Sequence, residues 1–235
     1  MSSTVLRILA AVVAIGASTL AGWAQAAVVS SFDDDNDGWI TLVVSNDGSA
    51  ILGGSPSVHV AAGGNPGGHL LALDPGDETA TRFAAPAKFL GNQAVYLGGT
   101  LSFDLALTPA STPISPVPAL VVIMNETAGI ALGFVGLESP PTSFAPYTVT
   151  LAADGVSWRA FVPGNPGINV AATSAHFDVV FAGITHLSLT GEFLDSIDDA
   201  VSLDNVALTA VPLPATLPML SLAMLAGGLW GQRRR

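Results

Sequence analysis

Thr100-Leu101-Ser102-Phe103-Asp104-Leu105-Ala106-Leu107 is the stretch on which the fold turns. Leu101, Phe103, Leu105 and Leu107 alternate with Thr100, Ser102, Asp104 and Ala106, the period-2 pattern of a strand with one packed face and one mostly polar face. Downstream, residues 120–125 and 130–135 flank a short polar turn and read as a buried hairpin. Residues 147–151 and 157–161 flank Ala153-Asp154-Gly155, whose Asp-Gly predicts a second hairpin. One short helix is expected, because Phe177, Val180, Phe181 and Ile184 fall at i, i+3, i+4 and i+7. Thr173 or Ser174 stands where a cap is needed, and Gly183 where the helix must stop. Strands over 187–193 and 201–208 then close the domain.

Composition agrees with an all-β reading. The chain has 235 residues with 25 Gly and 16 Pro, and only 11 % are charged, which suits a turn-rich protein better than a helical bundle. A count of roughly nine to eleven strands favours an antiparallel jelly-roll β-sandwich over an open sheet. Gly63-Gly64-Asn65-Pro66-Gly67-Gly68 reads as a tight structural turn, echoed by Gly164-Asn165-Pro166-Gly167. There is no cysteine, so disulfides, thiolate metal sites and a cysteine nucleophile are excluded.

The basic residues are Arg7, Arg82, Lys88, Arg159, Arg233, Arg234 and Arg235, and all 18 acids fall between Asp33 and Asp204. Three basic residues therefore face 18 acidic ones in the central region, a net of −15. Such a surface repels nucleic acid and anionic lipid and attracts cations.

The two ends read differently from the middle. Arg7, an apolar stretch from Ile8 to Trp23 and the small residues Ala24 and Ala26 around Gln25 form a signal peptide over 1–26, with signal peptidase cleaving after Ala26. At the other end, Val211-Pro212-Leu213-Pro214-Ala215 precedes an apolar run and the basic stop Arg233-Arg234-Arg235. Residues 213–231 are long enough to span a bilayer, and the arginines hold that end in the cytoplasm. This order, over 210–235, resembles PEP-CTERM sorting signals of the VPLPA type found in Gram-negative bacteria. The resemblance implies transient inner-membrane insertion, processing by an exosortase, and a final place at the cell surface or outside the cell.

The region 27–209 carries a second resemblance. Trp39, Gly63 to His69, Asp74, Ala85-Pro86-Ala87-Lys88-Phe89-Leu90-Gly91-Asn92, Tyr96-Leu97-Gly98-Gly99 and Leu101-Ser102-Phe103 are similar to the laminin IV type A (laminin B) domain, as is Ser202-Leu203-Asp204-Asn205-Val206-Ala207-Leu208. The likeness implies a galactose-binding-like sandwich acting as an extracellular structural or interaction module, here without flanking cysteine-rich modules.

Asp33, Asp35, Asp37 and Gly38 match D-x-D-x-D-G, three hard-oxygen donors on a bend, which suits Ca²⁺. Val44 stands where an EF-hand needs its glutamate, so that motif is excluded. The resemblance to galactose-binding-like sandwiches implies a structural Ca²⁺ between the start of the first strand and an acid of the last, at Asp33 or Asp35 with Asp204 and with Asp37 beside them, set against a plain solvated acidic turn. The apolar phase shifts between Leu203 and Val206, which predicts a β-bulge that re-aims Asp204 inward. Asp195, Asp198 and Asp199 read as a solvated loop.

No catalytic residue is assigned. His59, His69, His176 and His186 lack ligand spacing, no nucleophile elbow is present, and Trp39, Trp158, Tyr96 and Tyr147 read as packing residues. The expectation is a non-catalytic surface or matrix protein, with a carbohydrate-binding module acting on exopolysaccharide as the alternative.

Overall fold

The computed structural model describes residues 26–45, 50–74, 79–109, 119–136, 139–162, 165–194 and 198–212. Within them the period-2 stretches assemble into two antiparallel sheets. The first runs in the order β10 (Ala145–Thr150), β7 (Thr100–Thr108), β14 (Ala200–Thr209), β5 (Gly67–Leu73) and β4 (Val58–Gly64), with β1 (Val28–Ser30) also on β14. The second runs β12 (Asn165–Ala171), β11 (Trp158–Val162), β9 (Ile130–Phe134), β8 (Val121–Asn125), β13 (His186–Thr190), β6 (Thr79–Ala84), β2 (Ile40–Ser45) and β3 (Ile51–Pro56). The protein is a jelly-roll β-sandwich, and Ala26–Val211 forms one unit.

Alternation explains the layers. Leu101, Phe103, Leu105 and Leu107 of β7 and Val201, Leu203, Val206 and Leu208 of β14 are buried against Phe83, Ile123, Leu132, Leu187 and Leu189 of the facing sheet. Two tryptophans fix the interior. Trp39 meets Phe32 and Phe89 edge-on, with ring centroids at 5.9 and 5.5 Å, and Trp158 meets Phe134 and Phe177, each at 5.2 Å. Burying each large side chain stabilises the fold by roughly 1.5–3 kcal/mol.

The expected helix is present as α1 (Ser174–Phe181). Thr173 caps it. Its hydroxyl accepts from the His176 amide, and His176 Nδ1 accepts from the Thr173 amide, which satisfies two donors at the open helix end. Phe177, Val180 and Phe181 make its buried stripe.

Three expectations need correcting. The fourteen strands among the described residues exceed the expected number, because the exposed, glycine-containing β3 and the segment opening with Asn165-Pro166-Gly167 both pair as strands. The predicted hairpin around Asp154-Gly155 does not form: β10 pairs with β7 and β11 with β9, in different sheets. The reason is local. Asp154 Oδ1 accepts from the amides of Val156, Ser157 and Trp158, closing a turn by side chain instead of by strand pairing. The chain then crosses the sandwich, and the Trp158 indole donates back to the Thr150 carbonyl at 2.9 Å. The third correction concerns Asp199, expected on a solvated loop but buried, where its Oδ2 accepts from the Phe193 and Leu194 amides at 3.0 and 3.1 Å.

Among the described residues no helix is long and apolar enough to cross a membrane. The predicted span 213–231, with Leu213, Pro214, Ala215 and Arg233 to Arg235, lies outside them, as does Ala24. Val211 and Pro212 are described and exposed, and the Ala26 carbonyl accepts from the Tyr96 hydroxyl at 2.8 Å.

Candidate functional site

The outward phase of β7 and β14 carries the polar residues that alternate with the core. Asp104 and Asp204 are direct partners across this pair, so two carboxylates sit side by side on the outer face of the first sheet. Like charges so placed are unfavourable in the open, and the β4–β5 hairpin resolves this by folding over them. The Asn65 amide donates to Asp204 Oδ2 at 2.6 Å, while the Asn65 side chain donates to Asp104 Oδ2 at 3.1 Å. Asn205 adds its own amide to Asp204 Oδ1 and its side chain to Asp104 Oδ2, at 2.7 and 2.8 Å.

Two glycines allow so close a cover. At Gly64 an added Cβ would lie 2.7 Å from Asp204 Oδ2 and would strike the Gly68 carbonyl. At Gly67 the backbone has φ +89°, and a Cβ would strike Asp33 Oδ1. The turn Gly64-Asn65-Pro66-Gly67 is thus a structural turn, as expected, and also the lid of the acidic pair.

The expected bulge exists. Register shifts between Asp204 and Ala207, and Asn205 has φ +51°. Its direction differs from expectation: Asp204 keeps the outward phase of Ser202 and is buried by the hairpin, not by the core. Burial raises its pKa above the ordinary carboxylate value, the two amides oppose the shift, and the negative charges of Asp104 and Asp33 add to it.

The four acids named from the sequence are divided. Asp33 comes within electrostatic reach of Asp204, its Oδ2 accepting from the Ser31 hydroxyl at 2.8 Å. Asp35 Oδ1 accepts from the Asp37 amide at 2.7 Å, closing the local turn. Asp37 is paired with Lys88 and accepts from Ser30, whose hydroxyl in turn accepts from the buried Trp39 indole. Among the described residues no group of three or more histidine or acidic side chains is arranged to hold a metal.

Beside the acidic pair the same hairpin forms one wall of an open cleft of about 420 Å³. Asn65, Thr108, Thr142, Ser143, Phe144 and Ser202 line it together with His69. His69 follows Gly68 on β5, and its ring stands at 72° to that of Phe144 with centroids 5.5 Å apart. It is only 8 % exposed, and its Nδ1 is buried without a hydrogen-bond partner. Burial and then the neighbouring His59 hold its pKa below the usual imidazole value, so the ring is neutral at pH 7. Sequence reasoning passed over His69 because a lone histidine has no ligand spacing. The available signal was phase: Leu70 is core, so His69 faces out, toward the run Ser202 to Asp204. Trp39, Trp158 and Tyr96 are buried packing residues, as expected.

Residues 82–217, more than half of the chain, match the model of Laminin B (Domain IV). No curated protein matches the chain. Among solved structures it is similar to the L4b domain of human laminin alpha-2, with 10 % identity, a TM-score of 0.57, and coverage of 80 % of this chain and 98 % of that one. It is also similar to the family 11 carbohydrate-binding module of the cellulosomal cellulase Lic26A-Cel5E of Clostridium thermocellum, with 11 % identity, a TM-score of 0.49, and coverage of 79 % and 95 %. The chain belongs to the laminin B (domain IV) family.

Proposed function

We propose that the chain is an exported, non-catalytic domain of the cell surface or extracellular matrix, cleaved by signal peptidase at one end and by an exosortase at the other. Membership of the laminin B family supports an extracellular interaction module. The A-x-A leader and the VPLPA tail support export and trimming. The site supports binding over reaction: hydroxyls, a carboxamide, an imidazole and a phenyl ring line the cleft, and among the described residues no carboxylate pair stands across it to serve as acid and base. Mass spectrometry of protein recovered from the medium or cell surface tests this. The expected polypeptide begins at Ala27 and ends within the 211–215 motif. An intact chain in the cytosol, or a surface form ending at Arg235, contradicts it.

A structural Ca²⁺ between Asp33 and Asp204 belongs to this reading. Asp33 lies within electrostatic reach of Asp204, and among the described residues no lysine or arginine bonds to either, so these two carboxylates would supply hard-oxygen donors with backbone carbonyls or water completing the shell. Asp35 and Asp37 are taken up by the local turn and Lys88. Calcium should raise the melting temperature, and D204N should cancel the rise. No rise on titration removes the ion from the account.

The cleft favours a second reading, a carbohydrate-binding domain acting on exopolysaccharide. Its polar lining and partly exposed Phe144 suit a sugar ring, which presents hydroxyls at its rim and C–H groups on its faces.

A further inference from the structure

We propose that the cleft on the outer face of the first sheet is a subsite for one unit of a neutral polysaccharide, with His69 and the Phe144 ring as its recognition elements. The inference rests on the carbohydrate reading above and makes it specific. At about 420 Å³ the cleft falls within the range of small-molecule sites. A sugar hydroxyl both donates and accepts, so it needs partners that do the same. Thr108, Thr142, Ser143 and Ser202 supply four such groups.

His69 is the most specific feature. Its ring lines the cleft beside Phe144, and its buried Nδ1 has no partner inside the protein, which is rare for a buried polar atom. Phe144 stands against that ring and is partly exposed, so it offers an apolar platform beside a polar anchor.

Charge selects among sugars. Asp104 and Asp204 lie under the same hairpin, and 18 acids oppose three bases in the central region. A uronate or sulfated chain would be repelled, whereas a neutral one is not. Among the described residues no carboxylate lines the cleft, which suits holding a sugar over cleaving it.

The test is affinity electrophoresis of the full chain through gels containing dextran, galactomannan, a mixed-linkage β-glucan or alginate. At least one neutral polymer should retard the protein, and alginate should not. Both S143W, which fills the cleft from an exposed position, and H69F should weaken the retarding interaction by about tenfold or more. R159A, on the outer face of the other sheet, should leave it unchanged. If H69F does not fold, S143W alone decides, since it replaces an exposed residue. Retardation indifferent to S143W overturns the inference while leaving the carbohydrate reading intact. Retardation by no polymer overturns both. Retardation by alginate alone overturns the neutral-sugar assignment.

Discussion

The two sheets present outward faces of opposite character, although the same alternation builds both. On the first, Asp104 and Asp204 are buried by a hairpin folded over them, and His69, on that hairpin, is buried against Phe144. On the second, Arg82 lies between Thr81 and Phe83 of β6 and points away from the core, in register with Thr190 and Leu42. Each of its guanidinium nitrogens donates to the protein: Nε to the Ser188 hydroxyl at 2.9 Å, Nη1 to the Ala119 carbonyl at 3.0 Å, and Nη2 to the carbonyls of Leu120 and Ser188. Burial draws its pKa down to about 10, so it stays charged at neutral pH. Arg82 is a cation fully engaged in tying the start of β8 to β13. His69 is a polar group left with a free buried nitrogen. Burial of a polar residue does not by itself mark a site. What sets His69 apart is unused hydrogen-bonding capacity together with a place on the cleft wall.

Variants on the two faces separate these roles. The largest effect is expected from G64A, whose Cβ strikes the Gly68 carbonyl and crowds Asp204. Backbone on one side and a held carboxylate on the other leave little room to relax, so the cost is about 3 kcal/mol. That is a fall of roughly 10 °C in the melting temperature, with polysaccharide binding lost as well. A loss below about 1 kcal/mol would mean the hairpin is not clamped on the acidic pair.

R82M keeps the apolar stem but removes the hydrogen bonds to the Ala119, Leu120 and Ser188 carbonyls and to the Ser188 hydroxyl, although Leu120 keeps the Thr190 amide, and should cost about 2 kcal/mol by denaturant unfolding. Binding in the cleft should be unaffected. If R82M abolished polysaccharide binding in a folded protein, the second sheet would be the working face.

D154A removes the acceptor of three turn amides at an exposed crossing. Loss of such a cap costs about 1 kcal/mol, with binding unchanged. The smallest effect is in the pH profile. Asp204 and Asp199 have raised pKa values, chiefly through burial. A carboxyl raised on folding contributes stability present below its unfolded pKa and lost as pH rises through the folded one. Asp154 runs the other way, because its amides hold it at about 2 against the pull of burial, and its contribution disappears as pH falls from the ordinary value toward 2. His69 and His186, whose pKa values burial lowers, act against the carboxyls by losing stability as pH falls through the ordinary imidazole value. Measured against D204N, which keeps both histidines, the melting temperature in calcium-free buffer should therefore rise by about 1–2 °C from pH 7 to 5. A fall relative to D204N over that range would show that Asp204 is stabilised as a carboxylate.

Much of the sandwich was legible because period-2 patterns report faces directly. Leu101 to Leu107, the 120–135 hairpin, the Thr173 cap and the phase shift after Leu203 all survive in three dimensions. What sequence could not give was sheet membership. Asp154-Gly155 carries a hairpin signal, yet a side-chain acceptor closes the turn and the flanking strands join different sheets. Burial by residues outside the immediate turn was equally hidden. Asp199 and His69 look solvated in their own neighbourhoods and become enclosed only through Phe193–Leu194 and Phe144. The acidic loop illustrates the same limit, since nothing local separates Asp33, which faces Asp204, from Asp37, which faces Lys88.

The most direct test maps amide chemical shifts of the isotopically labelled protein while a neutral oligosaccharide is titrated in. The account predicts perturbations centred on Asn65, His69, Thr108, Ser143 and Ser202. Shifts centred instead on Arg82, Arg159 and Ser188, with the hairpin silent, would place recognition on the opposite sheet and contradict it.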